Sequence, residues 1–70
     1  MRCIITRLAF NRWYLVNFEN PEQAWSGFRW VGHTRGLATG PDVYINNFPT
    51  AILAREYAAK HCLEIMGIRR

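Results

Sequence analysis

The run from Pro49 to Gly67 constrains the fold more than any other part of the chain. Thr50 is a good N-cap and Pro49 closes the extended segment before it. Gly67 offers a C-terminal stop, with Arg69 and Arg70 just beyond it, where cations suit the helix dipole. At about 100° per residue, Ile52, Ala54, Ala58, Ala59, Cys62, Leu63, Ile65 and Met66 fall on one broad arc. Glu56, Lys60 and Glu64 stand opposite at i, i+4 and i+8, where their charges support one another on a wet face. Only Arg55 intrudes on the apolar side. The pattern predicts one amphipathic helix. Its arc exceeds the roughly 100° stripe that a helix on one sheet face needs. Either small alanines fill out the arc, or Ile52, Ala59, Leu63 and Met66 meet a second copy or a partner, with Tyr57 and His61 at the edge.

The residues before this run read as strands. Cys3 to Phe10 is β-branched and apolar, Asn11-Arg12 forms a tight turn, and Trp13 to Glu19 alternates. Tyr14, Val16 and Phe18 share one face of that second strand; Trp13, Leu15 and Asn17 share the other. Asn20-Pro21-Glu22-Gln23 resembles a helix start that Gly27 would end, which predicts a short helical turn over Asn20 to Ser26, with a wide loop as the alternative. Phe28 to His33 is a third strand, with Phe28 and Trp30 on one side and Arg29, Val31 and His33 on the other. Thr34 to Pro41 reads as a mobile loop and Asp42 to Phe48 as a fourth strand.

This order predicts a single α+β domain over residues 1–70. It would be an antiparallel three- to four-stranded sheet with one C-terminal amphipathic helix packed on one face, a two-layer ββββα arrangement. One sheet face then lacks a helix, and Trp13, Leu15, Arg29 and Val31 are expected on it. Such a mixed open face is unusual for a solitary monomer. The segment Phe48-Pro49-Thr50, followed by Ala54-Arg55-Glu56-Tyr57-Ala58, resembles the strand-to-helix junction of many small βββα domains. That junction serves unrelated functions and transfers no site residue.

Half of the 70 residues are hydrophobic and 14% are aromatic, which argues for a folded core. Arg2 and Arg7 interrupt any apolar leader, and no span approaches the roughly 20 apolar residues that cross a bilayer. Cytoplasmic location is the expectation, with Cys3 and Cys62 as free, mostly buried thiols and a disulfide as the lesser alternative. The net charge of +4 favours acidic partners.

Catalytic chemistry finds little support. Cys3, His33, His61 and Cys62 make no C-x-x-C or H-x-x-x-H pair, so neither a metal nor a cofactor is expected. Cys62 on an apolar arc is an inert thiol, the carboxylates read as surface charges, and no glycine-rich phosphate cradle is present. The chain is read as a binding protein and not an enzyme. The first expectation is a non-catalytic protein-binding module using Trp13, Arg29, Trp30, His33 and Arg35 with the loop from His33 to Gly40. Compact proteins of phages and mobile elements that block a host machine, anti-CRISPR proteins among them, are similar in size and architecture. By that analogy the target would be a host defence or nucleic-acid-processing complex. The alternative is a small basic nucleic-acid-binding protein, with Arg7, Arg12, Arg29 and Arg35 interleaving with tryptophans. A homodimer fits either reading. Membrane association does not, because the helix's wet face is balanced in charge.

Overall fold

A computed structural model describes residues 1–40 and 43–70. The chain forms β1 (Arg2–Ala9), β2 (Arg12–Asn17), β3 (Gln23–Trp25), β4 (Trp30–Thr34), β5 (Leu37–Ala38), α1 (Ala51–Lys60) and β6 (Glu64–Arg69). The strands join in one six-stranded sheet of order β5-β4-β3-β2-β1-β6. Neighbours are antiparallel except β6, which runs parallel to β1. The class is therefore α+β, but the sheet is mixed and larger than the three or four antiparallel strands expected. No helix among the described residues is long and apolar enough to cross a membrane.

The largest departure from expectation is the end of the helix. Thr50 caps its start as predicted, accepting a hydrogen bond from Leu53 N at 3.1 Å. The helix then stops at Lys60, well short of Gly67. Cys62 takes the left-handed conformation at φ 57°, Leu63 N donates to Ala58 O at 2.9 Å and Cys62 N donates to Ala59 O at 3.4 Å. This is a Schellman closure, with Leu63 packing back toward Ala58. The remaining Ile65, Met66, Gly67 and Ile68 extend as β6. The proposed helical dimer face is thereby dismantled. Ile52 and Ala59 lie exposed on α1, Leu63 is buried in the core, and Met66 belongs to a strand.

Both sheet faces carry a core. On one, Cys3, Ile5, Leu15, Trp25, Phe48 and Leu63 pack against Ala54 and Ala58 of α1, with Trp13, Trp30, Tyr57 and Ile65 partly buried around them. Alanines at the contact let the helix lie close to the sheet. Tyr57 ties the helix to the sheet, its hydroxyl accepting from Trp25 Nε1 at 2.9 Å. The other face carries Tyr14, Val16, Ala24 and Ile45, with Leu8, Val31 and Ala38 alongside. It was expected to be open; instead residues from β5 and the segment reaching Ile45 cover it. Trp13 and Leu15 were expected there too, but lie on the helix side. Thr6 Oγ1 is buried on the covered face with no hydrogen-bond partner among the described residues.

The region expected to be a fourth strand, Asp42 to Phe48, is mostly irregular; Asp42 itself lies outside the described residues, as does Pro41 of the predicted loop. Phe48 exchanges backbone hydrogen bonds with Trp13, both 2.8 Å, and Asn46 N donates to Trp25 O. The segment thus passes from Ile45 on one face to Phe48 on the other, filling the gap where β2 outruns the short β3. Besides β6, two further strands, β3 and β5, depart from the expectation. Asn20 makes a turn and not a helical start: its Oδ1 accepts from Glu22 N, its carbonyl from Gln23 N, and β3 follows at once. Arg35 (φ 53°) and Gly36 (φ 79°) form a two-residue turn of type I′ character that pairs β4 with β5 inside the predicted loop.

Candidate protein-contact surface

Strand register fixes what lies together at one end of the sheet. The β1–β2 turn at Phe10-Asn11 marks it, with Asn11 in the left-handed region at φ 62°. β3 runs antiparallel to β2, so the β3–β4 loop at Ser26–Arg29 lies toward the same end. The bond pair between Trp13 and Phe48 brings in Pro49 and the start of α1. Arg69 sits opposite Thr6, so β6 also finishes here.

Two shallow hollows open at this end. One, of about 370 Å³, is lined by Ser26, Phe28, Arg29, Val43 and Tyr44. The second, of about 360 Å³, is lined by Arg7, Phe10, Trp13, Pro49, Ala51 and Ile52, among others. The segment from Val43 to Ile52 contributes to both. The large side chains are held outward: Phe28 is 92% exposed, Tyr44 82%, Phe10 77% and Ile52 67%. Ser26 explains Phe28. Its hydroxyl accepts from Phe28 N (3.4 Å) and Arg29 N (3.3 Å) and donates to Arg29 O (3.0 Å), so the loop backbone is satisfied internally while the ring projects.

Carboxylates, more than cations, are segregated along the same axis, since Arg2, Arg35 and Lys60 lie at the end away from the β1–β2 turn. Arg7, Arg12, Arg29, Arg69 and Arg70 are exposed at or near the hairpin end. Glu19, Glu22 and Glu64 lie at the opposite end, where Glu19 pairs with Arg2 at 2.7 Å. The hairpin end therefore offers cations and flat apolar surface together, the residue types enriched where proteins bind proteins. Among the described residues no group of three His, Cys, Asp or Glu side chains is placed to hold a metal ion.

The residues singled out from sequence divide between these regions. Arg29 lines the first hollow and Trp13 the second, its ring partly buried. Trp30 packs edge-on against Trp25, with ring centroids 5.1 Å apart. His33 is occupied internally: its Nδ1 accepts from Gly36 N at 3.0 Å, Nε2 reaches Pro21 O at 2.9 Å, and its ring meets the edge of Tyr14. Arg35 is exposed in the β4–β5 turn, at the end away from Arg29. The expected cluster of Trp13, Arg29, Trp30, His33 and Arg35 is thus not one surface. The basic set fares better: Arg7, Arg12 and Arg29 share an end, and Arg35 does not. Phe10, Phe28, Tyr44 and Ile52, exposed at the hairpin end, are not among the residues singled out from sequence. Only the Gly27-flanked loop hinted that Phe28 would lie outside the strand pattern.

The thiols differ from each other. Cys3 is buried, and burial pushes its pKa above the ordinary 9.0, partly offset by the N-terminal ammonium. Cys62 is also free but exposed, against expectation. The chain matches no protein-family model, and no curated protein or solved structure matches it.

Proposed function

We propose that the protein is a non-catalytic protein-binding module that grips an acidic, partly apolar partner surface with the hairpin end of its sheet. The observation carrying this reading is the co-location of exposed Phe10, Phe28, Tyr44 and Ile52 with arginines at one end, while the described acidic residues of the strands and their turns lie at the other. Aromatic and arginine side chains are the usual anchors of protein interfaces, and a basic end attracts an acidic partner before contact. An inhibitor of a host defence or nucleic-acid-processing complex, of the anti-CRISPR kind, is the narrower form of the proposal. Only size and architecture support that step.

A second reading, single-stranded nucleic acid, draws on the same rings and arginines, which could stack bases and neutralise phosphates. Arg35, on which that reading also relied, stands away from the others. A tagged-protein capture from the native host, with and without nuclease, separates the two. A protein recovered in fixed ratio under both conditions, and lost on Phe28→Ala, supports the module. Recovery that vanishes with nuclease, or an affinity falling steeply with salt, moves the assignment to nucleic acid.

A further inference from the structure

We infer that two copies of this chain join through β6, edge to edge and antiparallel, into one continuous sheet. β6 is a sheet edge, with β1 along its inner side only; Glu64 N, for example, donates inward to Met1 O at 2.8 Å. An exposed edge strand is a template for another strand, and proteins blunt it with charges and bulges. β6 has both, and both are self-complementary in one register.

The pairing of β6 with β1 skips one residue: Cys3 is opposite Ile65, whereas Ile4 is opposite Gly67. Met66 is therefore the extra residue of a bulge. In a regular strand Ile65 and Ile68, three apart, would point to opposite faces. Because of the bulge both stand opposite helix-side residues, Cys3 and Ile5. Glu64 and Arg69 stand opposite Arg2 and Thr6, on the other face.

Rotating a second copy about an axis through the midpoint of Met66 and Gly67, perpendicular to the sheet, matches every position. Glu64 meets Arg69 of the second copy on the covered face, and Ile65 meets Ile68 on the helix face. Met66 lies opposite Gly67, where nothing occupies the space a Cβ would take within 4 Å. Each pair occurs twice, as an isologous contact requires. Cross-strand pairs of opposite charge and of apolar side chains are the units that stabilise such ladders. Among the described residues Glu64 has no ion-pair partner within its own chain, since Arg2 across the strand is held by Glu19. Ile68 and Met66, large apolar side chains left exposed in the monomer, become covered. The hairpin ends point in opposite directions and their Phe10, Phe28, Arg7 and Arg29 remain free, while Arg69 enters the seam.

Sedimentation equilibrium over a wide concentration range tests this. The chain is expected to dimerise reversibly. Glu64→Arg or Arg69→Glu converts both opposite-charge pairs into like-charge pairs and should raise the dimer dissociation constant about tenfold or more. The double exchange Glu64→Arg/Arg69→Glu should restore dimerisation, which a general loss of structure cannot do. Met66→Cys in a Cys62→Ser background should form a disulfide-linked dimer on mild oxidation, because Met66 lies beside the axis. A single-chain mass at millimolar concentration overturns the inference. So does a dimer indifferent to both single reversals, or a folded double exchange that stays monomeric.

Discussion

The two ends of the sheet use their polar side chains in opposite ways. At the end holding Asn20 and His33, several polar side chains bond within the chain, although Arg35 and Cys62 stay exposed. Asn17 Nδ2 donates to Gln23 Oε1, Asn20 closes its own turn, His33 clamps Gly36 and Pro21, and Arg2 pairs with Glu19. At the hairpin end Ser26 and Asn47 satisfy nearby backbone groups, and the long side chains around them project. One end is braced by its own side-chain bonds. The other leaves large aromatic and cationic side chains exposed. A short turn that anchors its backbone with one small hydroxyl can present a large ring without losing its shape.

The strongest break of this contrast is at the hairpin end. Phe28→Ala or Arg29→Glu should weaken partner binding by about 2 kcal/mol or more while the thermal midpoint stays nearly fixed. Arg35→Ala, at the other end, should leave binding unchanged in the same titration. A Phe28→Ala chain that melts early would show that the ring supports the fold instead. His33→Ala should do the reverse: it leaves the Gly36 amide without its acceptor, costs about 1–3 kcal/mol in urea unfolding, and spares binding by the folded fraction.

Cys62→Gly sharpens the comparison by strengthening the braced end. Cys62 holds a left-handed conformation that glycine adopts freely, so stability should rise by about 0.5–1 kcal/mol. The smallest effect concerns alkali. Burial raises the pKa of Tyr14 above 10.0, with Arg69 nearby pulling it partly back, and burial raises Cys3 as well. The folded chain thus keeps protons that the unfolded chain releases. Stability is whole below the ordinary values and falls as pH climbs past 9.0 and then 10.0. Tyr14→Phe should flatten the upper part of that decline, read from urea midpoints at successive pH values.

Local signals carried part of this structure into the sequence. Thr50 marks the helix start because a hydroxyl cap is a local requirement, and the alternation of Trp13 to Asn17 sorts correctly between the two faces. The helix end was hidden because its left-handed residue is a cysteine, and because Leu63 and Ile65 happen to continue the helical arc. β3 was hidden behind Asn20-Pro21, which opens a turn as readily as a helix. The proposed contact surface was less legible still. Alternation put Phe28 and Trp30 on one side, but the Ser26 bonds place Phe28 outside the strand, while Trp30 finds Trp25 across the pair. Arg29 was legible because a charge rarely goes inside. Which rings stay outside depends on long-range pairing.

The parallel pairing of β1 with β6 bears on how the chain reaches this state. β1 carries fully buried Cys3 and Ile5, yet one of its edges stays open until residues 64–69 arrive, after the helix has turned the chain back. Closing so distant a pair forms late and slows folding. Until then the most apolar strand of the sheet is an unguarded edge, and the chain is most prone to aggregate in that interval. Refolding yield should therefore fall with protein concentration more steeply than native stability alone would suggest.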